Sequence, residues 1–261
     1  MVNENSGRYR LPGIEDKVAA VTGGASGIGR VISMTLGMLG AKIAVMDIDE
    51  ENGEKMIEEL MSRGNEALFC KGDVSSEPEI NRCMNTINTH FGGIDILVNN
   101  AGIARKTSLK ELTLKQWKKI IEVNLTGAYI CSKAALQYIL NRGGGTIIMI
   151  SSGSAITGTG GSVSYAASKG GINSLVRALS RELAPEGIRV NGVAPRSIKS
   201  ELLDRIFSKE YLSQMVKEIP LRRMGTYEDI ANVVAFLASD LSSFITGEII
   251  LVDGGRTFGA L

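Results

Sequence analysis

The stretch KVAAVTGGASGIGR, Lys17 to Arg30, decides how the rest of the chain reads. VAAV is a continuous apolar run rather than an alternating one, the pattern of a strand covered on both faces. It passes directly into TGGASGIG, and GRVISMTLGMLG then carries apolar residues at helical spacing. Strand, glycine-rich turn and helix in direct succession open a βαβ unit, and such a turn lets a pyrophosphate approach the backbone at a helix N-terminus. Gly23, Gly27 and Gly29 are the glycines such a turn needs, and with Ser26 and Ile28 they are the turn's expected cofactor-binding residues.

Working outward, six more apolar, β-branched runs follow: AKIAVMDI, EALFCKGDV, DILVNNA, TIIMISS, IRVNGVAP and EIILVDGG. Amphipathic segments of helical length separate them, among them ENGEKMIEELMSRG and EPEINRCMNTINTHFGG, each closing in glycine. The alternation predicts an α/β fold: a single doubly wound, Rossmann-type domain with a seven-stranded parallel sheet flanked by helices. Its expected limits are residues 15–261, after a polar leader over residues 1–14. One long departure, residues 196–225, sits between the sixth strand and the next helix. Leu202, Leu203, Ile206 and Phe207 there suit either a helix packed on the core or a lid over a substrate.

Composition narrows the function. The chain has 261 residues, 44% of them apolar, with a net charge of +1, which supplies no basic stripe for nucleic acid or anionic lipid. No run reaches the roughly 18 apolar residues of a membrane helix, so a cytoplasmic protein is expected. Cys70, Cys83 and Cys131 lack a metal-ligand spacing and read as small buried hydrophobes in a reducing compartment. His90 is the one histidine, placed at a helix end where a cation meets exposed carbonyls. Hydrolytic triads, His-ligated zinc and most histidine acid–base schemes would all rest on it, so no metal is expected and proton transfer falls to another side chain.

The nucleotide preference follows from the second strand, which ends in Asp47, eighteen residues after Gly29. An acid at that spacing accepts the adenosine ribose hydroxyls. It would repel a ribose 2′-phosphate, and no Lys or Arg occupies positions 24 to 28 or 48. NAD is therefore expected rather than NADP.

Several ordered motifs together resemble the short-chain dehydrogenases/reductases, from Lys17 to about Thr257. TGGASGIG is similar to the family's TGxxxGxG. Asp73-Val74 resembles its adenine-contacting pair, and Asn99-Asn100-Ala101-Gly102 its NNAG turn, which adds Asn99, Ala101 and Gly102 to the cofactor contacts. Asn124 in VNLTG matches the catalytic asparagine. Ser152 stands thirteen residues before Tyr165, the family's separation, and Tyr165 with Lys169 forms its YxxxK. Thr246 to Gly255 resembles the closing strand. The resemblance implies a catalytic set of Asn124, Ser152, Tyr165 and Lys169, with Lys169 also on the nicotinamide ribose and Asn124 holding a water that links Lys169 to solvent. Pro195, Ile198 and Ser200 fall where the family contacts nicotinamide. Tetramers built on the helices around Leu112 to Leu140 and Val163 to Ala184 are also implied.

Chemistry explains the pair. Tyrosine, with a reference pKa of about 10, is a poor base. A lysine one helical turn away favours phenolate by charge. Tyr165 then reads as general acid/base, Lys169 as the group lowering its pKa, and Ser152 as a hydrogen-bond donor to the reacting substrate oxygen. Ser151 is a competitor expected to face the other side of its strand. The chain departs from the family at Arg196, where glycine is usual; strain from a positive φ, a solvated or acid-paired guanidinium, and an anion-binding arginine are all open. The leading expectation is an NAD(H)-dependent oxidoreductase acting on a secondary alcohol or ketone, such as a polyol or sugar. A 3-oxoacyl-thioester reductase, a steroid-type hydroxy dehydrogenase and a non-catalytic NAD-sensing module are the alternatives.

Overall fold

The computed structural model describes residues 11–200 and 208–259. All seven expected runs are strands: β1 (Val18–Thr22), β2 (Lys42–Asp47), β3 (Ala67–Lys71), β4 (Ile96–Asn99), β5 (Gly145–Ile150), β6 (Ile188–Pro195) and β7 (Ile249–Val252). They form one sheet in the order β3-β2-β1-β4-β5-β6-β7, and every pairing is parallel. Parallel neighbours need crossover connections, and these carry the helices to both faces. Among the described residues the α-helices are α1 (Gly27–Met38), α2 (Glu50–Ser62), α3 (Glu77–Phe91), α4 (Leu114–Ile121), α5 (Gly127–Leu140), the single turn α6 (Ser154–Thr157), α7 (Val163–Leu183), α8 (Lys209–Lys217) and α9 (Tyr227–Ala238).

Successive strand residues face opposite layers, so the sheet divides the core in two. Val18, Ala20, Leu97, Ile147 and Met149 pack with α3, α5 and α7. Ala19, Val21, Val98, Ile148 and Ile150 pack with α1 and α9. The long helix expected from Leu112 to Leu140 is interrupted, because Glu122–Thr126 widens into a π-helical turn holding Asn124. Such turns recur at functional sites. His90 lies in the last turn of α3, which Gly92 ends in a left-handed conformation.

The expected boundary at residue 15 moves outward. Ile14 is fully buried and Leu11 packs against the same cluster. Ile14 is drawn in because an apolar side chain beside the α1/α9 layer gains more from burial than from solvent, and Pro12 O accepts the amide of Asp240. Residues 1–10 of the expected leader, and Leu202, Leu203, Ile206 and Phe207 of the expected lid, lie outside the described residues.

At the N-terminal edge of the sheet, Asp95 joins β1, β4 and α5. Its buried carboxylate accepts Val18 N at 2.9 Å, Arg142 Nε and Nη2 at 3.2 Å each, and Lys17 Nζ at 3.3 Å. Removing one partner of such a cluster strands the others in a low-dielectric setting. Asp95→Ala is expected to lose about 3 kcal/mol of stability and to lower Tm by roughly 10 °C, measured by calorimetry. Nucleotide affinity should not change, because the opposite edge of the sheet carries the cleft.

Candidate active site

The C-terminal ends of β1 and β4 adjoin where the strand order reverses, the place at which doubly wound sheets open a crevice. Thr22 holds that junction. Its Oγ1 accepts Asn100 N and Ala101 N at 3.0 Å each and donates to Val98 O. Asn100 Nδ2 returns to Thr22 O and Gly23 O, both at 3.0 Å. The glycine-rich turn is thereby pressed against the start of the 100–104 segment. A Cβ on Gly29 would stand 2.0 Å from Gly23 O, and one on Gly23 2.9 Å from Ala101 Cα. No side chain fits at either position.

A cleft of about 650 Å³ runs across this junction. One end is lined by Asp47, Ile48, Asp73 and Val74, the middle by Gly23, Ser26, Gly27 and Ile28, and the other end by Ser152, Tyr165, Lys169, Pro195, Ile198 and Ser200. Asp47 is steered by two amides, Ala25 N on Oδ2 and Asp49 N on Oδ1, each at 3.1 Å. Burial pushes the Asp73 carboxyl up, but hydrogen bonds from Ser75 and the Lys119 ammonium at 3.7 Å outweigh it and hold the carboxyl below its usual value. The N-terminus of α1 receives no side-chain cap and has no acid in its first turn. Its free amides and positive dipole end suit a pyrophosphate. A dinucleotide therefore fits the residues present.

At the far end, Ser162 caps α7 by accepting Tyr165 N at 3.3 Å. The helix carries Lys169 one turn further, its Nζ 5.9 Å from the Tyr165 ring centre and donating to Ile150 O at 2.7 Å. Ser152 Oγ accepts Ser154 N and shares a hydrogen bond with the Tyr165 phenol. Ser151 also lines the cleft, but its Oγ donates to Asn173 Oδ1 at 2.6 Å in α7, which engages that hydroxyl. Asn124 grips the backbone of Ile103, accepting its amide at 2.8 Å and donating to its carbonyl at 2.9 Å, with a further bond to Ser168 Oγ. A Cβ on Gly102 would meet Asn124 Oδ1 at 3.3 Å and Lys169 Nζ at 3.5 Å. Asn124 and Lys169 therefore meet over Gly102.

Two expected residues sit differently. Asn99 is the last residue of β4 and turns into the core, where its Nδ2 donates to Ser132 Oγ at 3.0 Å; its neighbour Asn100 lines the cleft instead. Gly29 serves packing beneath the turn rather than the cleft surface. The expected lowering of the Tyr165 pKa by Lys169 is also absent from the protein alone. Burial raises the phenol, with the Ser152 hydrogen bond opposing it, while burial pulls Lys169 down to about 8. Desolvation exceeds a charge interaction across 5.9 Å when the ammonium also loses water. Sequence reading missed Lys119 and Tyr227, which line the cleft from α4 and α9; no local pattern marks either.

The family model described as Enoyl-(Acyl carrier protein) reductase matches residues 23–257. The 3-oxoacyl-(acyl-carrier-protein) reductases of Staphylococcus aureus and Aquifex aeolicus are 39% and 37% identical over 240 and 243 residues. These spans cover 92% and 93% of this chain and 97% and 98% of the relatives. A crystal structure of a short-chain type dehydrogenase/reductase from Mycobacterium marinum superposes with a TM-score of 0.88 at 32% identity, over 94% of this chain and 97% of that one. Levodione reductase has the same TM-score at 30% identity, over 93% and 98%. The chain belongs to the short-chain dehydrogenase/reductase family. It is an oxidoreductase of that family, and among its described residues no helix is long and apolar enough to cross a membrane.

For this dehydrogenase/reductase, Arg196 follows none of the more exotic readings. The left-handed residue is Ser197, with φ 59°, and Arg196 is not among the positive-φ residues. Arg196 Nη1 donates to Thr257 Oγ1 at 2.8 Å, and its guanidinium lies near Asp253. It does not line the cleft.

The buried Lys169 has a measurable consequence. Its folded-state pKa of about 8 lies below the ordinary 10.5, so between those values the unfolded chain binds the extra proton and stability rises with pH. Tyr165, raised above 10, opposes this only above pH 10. From pH 8 to 10 the wild type is expected to gain roughly 2 kcal/mol more than Lys169→Met, read from urea unfolding at each pH. Parallel pH profiles would contradict a depressed Lys169.

Proposed function

We propose that the chain is an NAD(H)-dependent oxidoreductase that moves a hydride between nicotinamide and the carbinol carbon of a secondary alcohol or ketone. The observation that carries this reading is the single cleft with Asp47 at one end and the Ser152–Tyr165–Lys169 cluster at the other. Asp47 accepts the adenosine ribose hydroxyls and repels a 2′-phosphate, Gly23 to Ile28 hold the pyrophosphate, and Lys169 donates to the nicotinamide ribose. When bound, the nicotinamide supplies the hydride-exchanging carbon and, oxidised, a positive charge that favours the Tyr165 phenolate. Ser152 orients the substrate oxygen, and Tyr165 Oη gives it a proton in reduction or takes one in oxidation. Asn124, fixed to Ile103 and beside Lys169, completes the path by which the proton is exchanged with solvent.

Ile103, Ala104, Ile150, Pro195 and Ile198 give the cleft apolar walls. They favour a ketone with an apolar flank over a polyhydroxylated sugar. A second reading, 3-oxoacyl-thioester reduction, is favoured by the names of the relatives, and Asp47 weighs against the NADPH that such synthesis commonly uses. Self-association through α5 and α7 belongs to the same proposal.

A panel of polyols, cyclic and linear ketones and a 3-oxoacyl thioester, each with NAD(H) and NADP(H) and followed by nicotinamide absorbance, tests both readings. Turnover confined to NADP(H) would overturn the assignment of Asp47. Tyr165→Phe is expected to lower kcat by about 10³-fold or more while NADH affinity stays within about threefold; retained turnover would remove Tyr165 from its role.

A further inference from the structure

The turn after β7 is built as a clasp. The Asp253 carboxylate, itself buried, accepts Gly255 N at 2.8 Å and Thr257 N at 2.7 Å and folds residues 253–257 into a tight loop. One side of the loop holds the end of β6: Arg196 N donates to Val252 O, and Arg196 Nη1 to Thr257 Oγ1. The other side holds the chain after α8, where Leu221 N donates to Gly254 O.

Arg256 spans both sides. Its Nη1 donates to Ser197 Oγ at 2.7 Å and its Nη2 to Glu218 Oε2 at 2.5 Å, and its side chain is only 17% exposed. One partner, Ser197, stands just after β6, and the other, Glu218, just after α8. Arginine alone can reach both, because its planar fork carries donors in two directions where a lysine has a single nitrogen.

The partner at Ser197 matters most. This residue is left-handed without being glycine, a conformation that persists only when its surroundings hold it. Gly225 N donates to its carbonyl, and Lys199 N donates to Gly225 O, closing a short parallel bridge at Ile198. Ile198 and Ser200, immediately beyond, line the cleft, whereas Arg256 does not. The direction taken by the backbone at Ser197 therefore sets where that wall stands.

We propose that Arg256 is a positioning residue: by bridging Ser197 and Glu218 it holds the left-handed turn and, through it, the cleft wall at Ile198 and Ser200. This rests on the cleft being the cofactor and substrate site. Hydrogen exchange on the full chain tests it without requiring turnover. Arg256→Ala is expected to speed exchange about tenfold in peptides covering 196–200 and 218–225, leaving those over 18–29 and 146–150 unchanged. Ser197→Ala, which deletes one hydroxyl, should give the same pattern more weakly, and Arg256→Lys should fall between Ala and wild type. With the most active ketone of the panel, Arg256→Ala should raise KM about fivefold or more and leave kcat within about twofold. Wild-type exchange at both segment ends would overturn the proposal, and so would acceleration spread evenly over the sheet. A wild type without turnover on any panel substrate would sink the proposed activity while leaving the exchange result to decide the role of Arg256.

Discussion

Thr22 is a small residue on which much of the site depends. Its hydroxyl takes two amides from the segment after β4, and that segment returns the Asn100 carboxamide to the backbone of Thr22 and Gly23. The glycine-rich turn and the 100–104 segment therefore form one unit, in which Gly102 leaves room for the ends of Asn124 and Lys169 above it. Asp95 fastens β1 to β4 at the opposite edge. With the two central strands held at both ends, the parallel order places the candidate site residues at one edge of the sheet.

At Tyr165 and Lys169 burial outweighs charge. Lys169 lies where water is scarce, and its Nζ keeps one strong acceptor, Ile150 O. That desolvation makes its proton easier to lose, and the same surroundings make the Tyr165 proton harder to remove. The protein alone thus favours the neutral phenol, which suits proton donation. A positive charge placed beside the phenol would favour the phenolate. Sequence spacing identifies the pair but not the sign of this balance, because the sign depends on how much water each group loses.

Legibility followed the range of the interaction. The seven strands are apolar runs with flanking turn signals, and Tyr165 and Lys169 stand one helical turn apart on α7; both features are local, so the sequence carries them. Asn99 and Asn100 are adjacent, and which of them faces the cleft depends on where β4 stops. Once the strand ends at Asn99, that side chain enters the α5 layer beside Ser132, and Asn100 turns toward Thr22. Ile14 looked like part of a leader because its burial comes from α1 and α9, which are far along the chain. Arg196 departs from the family pattern, yet the left-handed residue is its neighbour Ser197, and the arginine bonded to that residue stands at 256.

The sequence by itself determined the fold class, the strand count, the glycine-rich turn after β1 and the placing of Tyr165 and Lys169 one helical turn apart. Each rests on periodicity or on spacings within a few residues, which the backbone geometry of strands and helices translates directly into proximity. The tertiary structure alone decided the π-helical turn that aims Asn124 at Ile103, the inversion of the Tyr165 and Lys169 proton affinities, and the bridge from Arg256 to Ser197 and Glu218. These depend on desolvation and on contacts between residues tens of positions apart, and no local pattern encodes either.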